Sequence, residues 1–218
     1  MRFAAFETST EWCSVALWRD GEIAAVERRA GHRHSDLALP MLERLLAAAG
    51  ITAAGLDAVA FGAGPGSFTG LRIACGLAQG LALASGVPVI GISTLEAMAE
   101  ESGAARVVAC LDARMREVYY SALEKDAGRW REVVAPRCVS PQAVVPMGGD
   151  WVGCGNGFAE YGNLGMARVL PEVHPTALAV ARLAAPRFAA GEGLDAALAA
   201  PVYVREKVAF TKAELEGR

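Results

Sequence analysis

The chain has 218 residues, of which 53% are hydrophobic and 21% charged, so it can fold into one large or two small globular domains and is not a disordered protein. Its formal net charge of −3 excludes the strongly basic footprint of a protein that binds nucleic acid by itself. No long apolar run predicts a membrane span, and the N-terminal stretch lacks the pattern of a signal peptide. We therefore expect a cytoplasmic protein with no membrane partner.

The first half of the chain reads as alternating strands and helices. An opening strand ends near Ser9, and the Asp-Gly pair at 20–21 predicts the turn of a hairpin. A helix then ends at Gly50, and its start is open between a cap at Ser35 and a first turn at Pro40. A strand, a glycine-rich loop and a helix are predicted next, and they are followed by another strand and helix.

The pattern restarts after residue 102. The stretch ARVVACLDARMREVYYSALE predicts two strands joined by a polar turn, and Asp112 ends the first of them as Glu7 ends the opening strand. Further strands and a helix interrupted by Pro186 follow. Two such units predict an internally duplicated α/β fold, with a first lobe at 1–102 and a degenerate second lobe at 103–218 whose C-terminal tail packs back on the first lobe.

The stretch GAGPGSFTGLRIACGLAQG, residues 62–80, looks like a phosphate-binding loop that opens a helix. Gly64, Gly66 and Gly70 permit positive φ or close approach of a ligand, and Ser67 or Thr69 could cap the helix. The Walker pattern needs a lysine directly after the last glycine, which is absent, so a P-loop ATPase is excluded. Two alternatives stay open: an anion site, and a tight capped turn without a ligand.

Two helices of the first half carry more apolar surface than one sheet can cover. Between residues 71 and 84 the only polar or charged side chains are Arg72 and Gln79, and between 41 and 49 only Glu43 and Arg44 are charged. We expect a subunit interface there. Its predicted residues are Leu39, Met41, Leu42, Leu45, Leu46, Ile73, Ala74, Leu77, Ala78 and Leu81. The alternative is burial under the second half of the same chain.

Glu7 and Asp112 allow two interpretations: a carboxylate pair across a cleft, as in phosphotransferases of duplicated α/β type, or two separate turn caps. The residues that could face a nucleotide or phosphate are Glu7, Thr8, Ser9, Gly64, Gly66, Ser67, Thr69 and Asp112. No HExxH, HxxxH, GxSxG or SxxK motif occurs, so the sequence predicts neither a metal site nor a nucleophile.

Four stretches, GPGSFTGLRI, HSDLALPMLERLL, LDARMREVY and PVYVRE, together resemble the TsaB (YeaZ) family. The match runs in order over nearly the whole chain, and GPGSFTG is its most specific block. The resemblance implies a duplicated actin-like ATPase fold (ASKHA, ribonuclease H-like), in which two lobes have mixed sheets flanked by helices.

The same resemblance implies a part in forming N6-threonylcarbamoyladenosine at position 37 of tRNAs that read ANN codons. The chain would be a non-catalytic accessory subunit that activates a TsaD-type transferase by heterodimerisation, and a TsaE-type ATPase would join the complex. tRNA would be engaged through the complex, and the chain would form a homodimer when the transferase is absent. No tightly bound cofactor is implied, although ATP or ADP could bind at a shared subunit interface.

Two positions depart from the family pattern. Glu7 stands where aspartate is usual, and Ala63 stands where arginine often precedes Gly-Pro-Gly. Both departures weaken any nucleotide site in the first lobe. The alternative function is an autonomous ATP-dependent phosphotransferase of actin-like fold, in which Glu7 and Asp112 hold a metal–nucleotide.

Overall fold

The computed structural model describes residues 1–205, and both halves of the chain begin with antiparallel strands and continue with strands and helices. The elements of the first half are β1 (Arg2–Glu7), β2 (Trp12–Arg19), β3 (Glu22–Arg29), α1 (His34–Ala49), β4 (Ala58–Gly64), α2 (Phe68–Ser85), β5 (Val89–Ser93) and α3 (Thr94–Glu101). Those of the second half are β6 (Arg106–Arg114), β7 (Glu117–Asp126), β8 (Arg129–Val139), β9 (Val152–Cys154), α4 (Asn156–Tyr161), β10 (Val169–Leu170) and α5 (Ala177–Ala189). Short 3-10 turns lie at Ala53–Gly55, Pro141–Ala143 and Ala196–Leu198.

The two sheets have the same strand order. The first sheet runs β3-β2-β1-β4-β5, and the second, taken in the matching direction, runs β8-β7-β6-β9-β10. In each sheet the first three strands in sequence pair antiparallel and the other two join in parallel. This repeated topology confirms the predicted duplicated actin-like, ribonuclease H-like fold with mixed sheets flanked by helices.

The helices lie in layers on the sheets. α1 and α2 cover one face of the first sheet, over a core that contains Phe6, Val15 and Phe61. α5, from the second half of the chain, packs on the opposite face of that sheet, and α3 packs against both α5 and β6. α4 covers the far face of the second sheet. The layer of α3 and α5 therefore joins the two sheets, and α1 and α2 lie on the side away from the second sheet.

One helix of the predicted second lobe packs on the sheet of the first lobe. The strands of the first sheet lie within 2–93 and those of the second within 106–170, but α5 packs on the first sheet although it follows the second in sequence. The predicted second lobe extends to residue 218, and residues 206–218 lie outside the described part of the chain.

Two helix boundaries differ from the prediction. α1 is capped by Arg33 without a side-chain hydrogen bond, so Ser35 lies inside its first turn and Pro40 lies in its interior, and neither predicted start is correct. α5 continues through Pro186 to Ala189 and is not interrupted there. Pro186 lies in the last turn of α5, and its missing N–H removes one helical hydrogen bond, the one to the Arg182 carbonyl, without ending the helix.

Candidate functional site

The solvent side of α1 and α2 is the first candidate surface, and half of the predicted interface residues do not reach it. Met41, Leu42 and Leu46 of α1 and Ala74 and Ala78 of α2 are buried in the core beneath these helices. Because they already contact the first sheet, they cannot contact another subunit while the lobe is folded. Their assignment to an interface is corrected: the apolar stripe of each helix includes both a core side and an outer side, which sequence alone does not separate.

The remaining predicted residues do reach the surface. Leu39 is exposed, and Leu45, Ile73, Leu77 and Leu81 are half-buried. Gly76 and Gly80 are exposed on α2, and a Cβ added at either would meet no atom within 4 Å. We call the surface formed by Leu39, Ile73, Gly76, Leu77, Gly80 and Leu83 the outer face. It is an apolar surface in which two glycines leave a shallow furrow along the middle of α2.

As far as residue 205, the second half of the chain leaves the outer face open. Through α5 it packs on the opposite face of the first sheet, so among residues 103–205 only the C-terminal stretch approaches α2. This stretch is residues 196–205, which we call the strap. The strap lies along one flank of α2, where Gln79 donates hydrogen bonds to the carbonyls of Ala196 and Ala199 at 3.3 and 3.0 Å. The C-terminal tail therefore contacts the first lobe between Ala196 and Tyr203.

The turn after β1 is joined to the glycine-rich loop before α2, which is the second candidate site. The Thr8 hydroxyl donates to the Gly70 carbonyl at 2.7 Å, and the Ser67 N–H donates to the Ser9 carbonyl at 2.7 Å. A Cβ at Gly70 would overlap the Thr8 carbonyl, and one at Gly66 would lie 2.6 Å from the Ser9 carbonyl oxygen. The glycines of this loop thus permit the close approach of another part of the same chain, the turn after β1.

Glycine is required in this loop for two different reasons. Gly64 has a φ of 118°, a value that favours glycine. Gly66 has no positive φ, so a need for left-handed backbone at residue 66, which the sequence suggested, is wrong, and the approach of Ser9 is the reason instead. Ser67 caps α2 by accepting from the Gly70 N–H at 3.3 Å, whereas Thr69 is exposed within the first turn. These contacts favour the capped turn over the anion site.

Glu7 is fully buried at the end of β1. Its Oε1 accepts a hydrogen bond from the Ser9 N–H at 2.6 Å, and a Cβ at Gly62 would overlap its carboxyl group. Burial raises the pKa of Glu7 above its ordinary value, against the opposing effect of the hydrogen bonds from Ser9. Its other oxygen, Oε2, is buried without a hydrogen-bond partner among the described residues.

Asp112 holds a turn of the second sheet. Its Oδ1 accepts from the Arg114 N–H at 2.9 Å and from the Tyr161 hydroxyl at 3.2 Å. The three residues from Arg114 to Arg116 all have φ between 56° and 62°, an uncommon conformation for side-chain-bearing residues. Both carboxylates therefore accept a hydrogen bond that closes a turn.

Other chemistry is limited in the described part of the chain. Among residues 1–205 no group of three His, Cys, Asp or Glu side chains lies close enough to hold a metal ion. In the same range no helix combines the length and apolar character that crossing a bilayer requires.

A shallow depression of about 390 Å³ lies on the second lobe, away from both candidate sites. Its lining residues are Pro141, Gln142, Val144, Pro146, Tyr161 and Leu164.

The strap contains the contacts that reasoning from the sequence missed. Tyr203 accepts from Arg72 Nε at 3.1 Å and packs against Phe68, and Val202 donates its N–H to the Ala63 carbonyl at 2.7 Å. The sequence predicted that the C-terminal tail packs back on the first lobe, but it did not identify the residues that these contacts join.

Comparison with known proteins agrees with this architecture. Residues 26–173 match the family model described as TsaD, tRNA N6-adenosine threonylcarbamoyltransferase. The chain is 38% identical to the tRNA threonylcarbamoyladenosine biosynthesis protein TsaB of Escherichia coli K12, over 97% of this chain and 98% of that protein. It is also 38% identical to the protein of the same name from Haemophilus influenzae, over 98% and 97% of the two chains. The solved structure of YeaZ from Pseudomonas aeruginosa superposes with a TM-score of 0.87 at 39% identity, over 93% of this chain and 99% of that one. The chain therefore belongs to the TsaB (YeaZ) family.

Proposed function

We propose that this protein takes part in forming N6-threonylcarbamoyladenosine at position 37 of tRNAs that read ANN codons. It would be a non-catalytic subunit that activates a TsaD-type transferase by forming a heterodimer with it. A TsaE-type ATPase joins that complex, and tRNA is engaged through the assembly rather than by this chain alone. The names of the E. coli and H. influenzae relatives support the pathway.

The observation that carries the proposed mode of action is the open outer face. Gly76 and Gly80 let another helix approach the backbone of α2 closely, and Ile73, Leu77 and Leu83 supply apolar contacts around them. A stable interface buries about 1,600 Å² in total, and a few central residues dominate its energy. The outer face would contact the transferase, or a second copy of this chain when the transferase is absent.

The buried state of Glu7 supports a non-catalytic role. An actin-like phosphotransferase needs carboxylates that reach a metal–nucleotide in the cleft, but Glu7 is fully buried and Asp112 is hydrogen-bonded within its own lobe. The alternative of an autonomous phosphotransferase therefore gains no support from the geometry. Binding of ATP or ADP at an interface shared with the partner stays a prediction.

Reconstitution tests this proposal. The purified chain, a cognate TsaD-type transferase and a TsaE-type ATPase are combined with tRNA, ATP and a threonylcarbamoyl donor, and each protein is omitted in turn. We expect modification only with all three proteins, and no substantial ATPase, protease or transferase activity from this chain alone. ATP turnover that follows the chain through purification and is lost on Glu7→Ala or Asp112→Ala would establish the phosphotransferase instead.

A further inference from the structure

The strap forms a flank of the outer face and is fixed along its length to the first lobe. The N–H of Val202 donates a hydrogen bond to the Ala63 carbonyl. The carbonyl oxygen of Val202 lies 2.7 Å from the position that a Cβ at Gly64 would take. Gln79 holds the other end through the carbonyls of Ala196 and Ala199. The glycine at residue 64 thus makes room for the strap.

The last described residue of the strap attaches it to the second lobe. Arg205 donates from Nη2 to Glu117 Oε2 at 2.7 Å and to the Ala113 carbonyl at 2.9 Å. Its side chain is only 13% exposed, and its guanidinium lies 5.8 Å from the centre of the Tyr119 ring. A buried, charge-assisted hydrogen bond of this kind fixes a geometry more firmly than a surface ion pair does. The strap is therefore held at one end by the first lobe and at the other by the second.

The solvent side of the strap is apolar. Leu198, Val202 and Tyr203 are 69%, 53% and 50% exposed, and Tyr203 packs against the equally exposed Phe68 at the start of α2. In a helix of 3.6 residues per turn, Phe68, Arg72 and Gln79 lie on one flank of α2, next to the side that carries Gly76 and Gly80. The exposed side chains of the strap thus continue the outer face beyond α2.

We propose that the strap is part of the partner-binding surface and that Arg205 is the residue that positions it. The inference rests on the proposed function, because its occupant is an apolar helix of the TsaD-type partner seated against α2. The argument for that occupant is continuity: the strap borders the glycine furrow of α2 on one flank, and both the strap and the outer face expose apolar side chains. Arg205 itself need not touch the partner.

The physical reason for a fixed strap is preorganisation. Binding costs the ordering of any segment that is mobile before contact, and a segment already anchored at both ends avoids that cost. Releasing the Arg205 end leaves Leu198, Val202 and Tyr203 present but less ordered. The expected loss therefore appears in partner affinity and not mainly in the stability of the subunit.

The test is a double-mutant cycle on affinity for the purified partner, with melting temperature measured alongside. Arg205→Gln should weaken binding about fivefold to tenfold with little change in melting temperature, and Val202→Ala/Tyr203→Ala should weaken it by a similar or larger factor. In the Val202→Ala/Tyr203→Ala background, Arg205→Gln should have almost no further effect. Arg129→Gln, which removes an exposed arginine–glutamate pair elsewhere, is the matched control and should leave affinity unchanged.

Two results would overturn the inference: unchanged affinity in Arg205→Gln, or a loss that simply adds to that of the strap variant. Should Arg205→Gln fail to fold, Glu117→Gln removes the same ion pair from the other side and is judged by the same criteria. A Gly76→Arg variant separates this inference from the proposed function. If Gly76→Arg binds the partner normally, the proposed interface is wrong; if it does not bind while the strap variants do, only the role of the strap is wrong.

Discussion

Glu7 and Asp112 make the same hydrogen bond in the two sheets of this protein. Each is near the end of the first strand of its sheet, and each accepts the backbone N–H two residues further on, from Ser9 at 2.6 Å and from Arg114 at 2.9 Å. They differ in surroundings, since Glu7 is fully buried and Asp112 is in contact with Arg114, whose side chain is largely exposed. Each half of the duplicated fold thus uses an acidic side chain to close a turn.

Burial of Glu7 predicts a pH dependence of stability. Because its pKa is raised in the folded protein, the folded state keeps the proton over a pH range in which the unfolded chain has released it. The free energy of unfolding then falls as pH rises above the ordinary glutamate value near 4.5. Glu7→Gln should remove this contribution, so its stability relative to the wild type should improve as pH rises above about 4.5 and level off once Glu7 is ionised in the folded protein.

Urea denaturation at several pH values measures this effect. Glu43→Gln, on the exposed side of α1, controls for the change in net charge and should give a profile parallel to the wild type. A stability difference between Glu7→Gln and wild type that does not change with pH would show that folding does not raise the pKa of Glu7.

Two glycines of α2 should respond oppositely to alanine. At Gly70 the new Cβ would overlap the Thr8 carbonyl, a backbone atom that cannot move freely, so Gly70→Ala should cost about 1–3 kcal/mol of stability. At Gly76 the Cβ enters open space within a helix, so Gly76→Ala should stabilise the subunit by about 0.5–1 kcal/mol. Free energies of unfolding from urea titrations decide the point, and equal effects of the two changes would contradict the account of this loop.

Charged substitutions on α2 should distinguish the side of the helix that faces the core from the side that faces solvent. Ala78 is fully buried in the core, so Ala78→Glu would bury an unpaired carboxylate and should unfold the subunit or lower its melting temperature strongly. Gly80 is exposed and open, so Gly80→Glu should leave a folded subunit. Circular dichroism melting curves compare the two. A stable Ala78→Glu protein would mean that residue 78 faces solvent and not the core.

Asp112 offers a test of the carboxylate-pair alternative. Asp112→Asn keeps an oxygen that accepts from Arg114 and Tyr161, whereas Asp112→Ala loses both bonds and should cost about 1–3 kcal/mol. In the reconstituted modification assay Asp112→Asn should retain near wild-type activity. A loss of about 100-fold or more in a folded Asp112→Asn protein would instead indicate that the carboxylate takes part in the chemistry.

Most strands and the helices α1, α2, α3 and α5 followed from the sequence because their patterns are local. The Asp-Gly turn at 20–21 and the alternating strands predict the hairpin, and the restart after residue 102 predicts the duplication. The direction that each apolar side chain faces did not follow. Met41 and Ala74 point into the core while Leu39 and Gly76 face solvent, and this depends on which helix face the sheet takes.

The long-range contacts of single residues could not be predicted from the sequence either. Nothing local to Gly66 reveals that the Ser9 carbonyl, far earlier in the chain, fills the space beside it. Likewise nothing local to Arg205 identifies Glu117 as its partner. The sequence of the glycine-rich loop suggested a phosphate-binding site. In the structure its glycines instead make room for the turn after β1 and for the strap.

The most direct measurement of the central claim is partner binding and tRNA modification by the Gly76→Arg protein. Arginine at this open position should leave the subunit folded, because a Cβ there meets no atom within 4 Å, but it places a long charged side chain in the furrow of the outer face. We predict a wild-type-like melting temperature, loss of binding to the TsaD-type transferase and loss of modification in the complete system. A folded Gly76→Arg protein that binds the transferase with unchanged affinity and supports full modification would contradict the account.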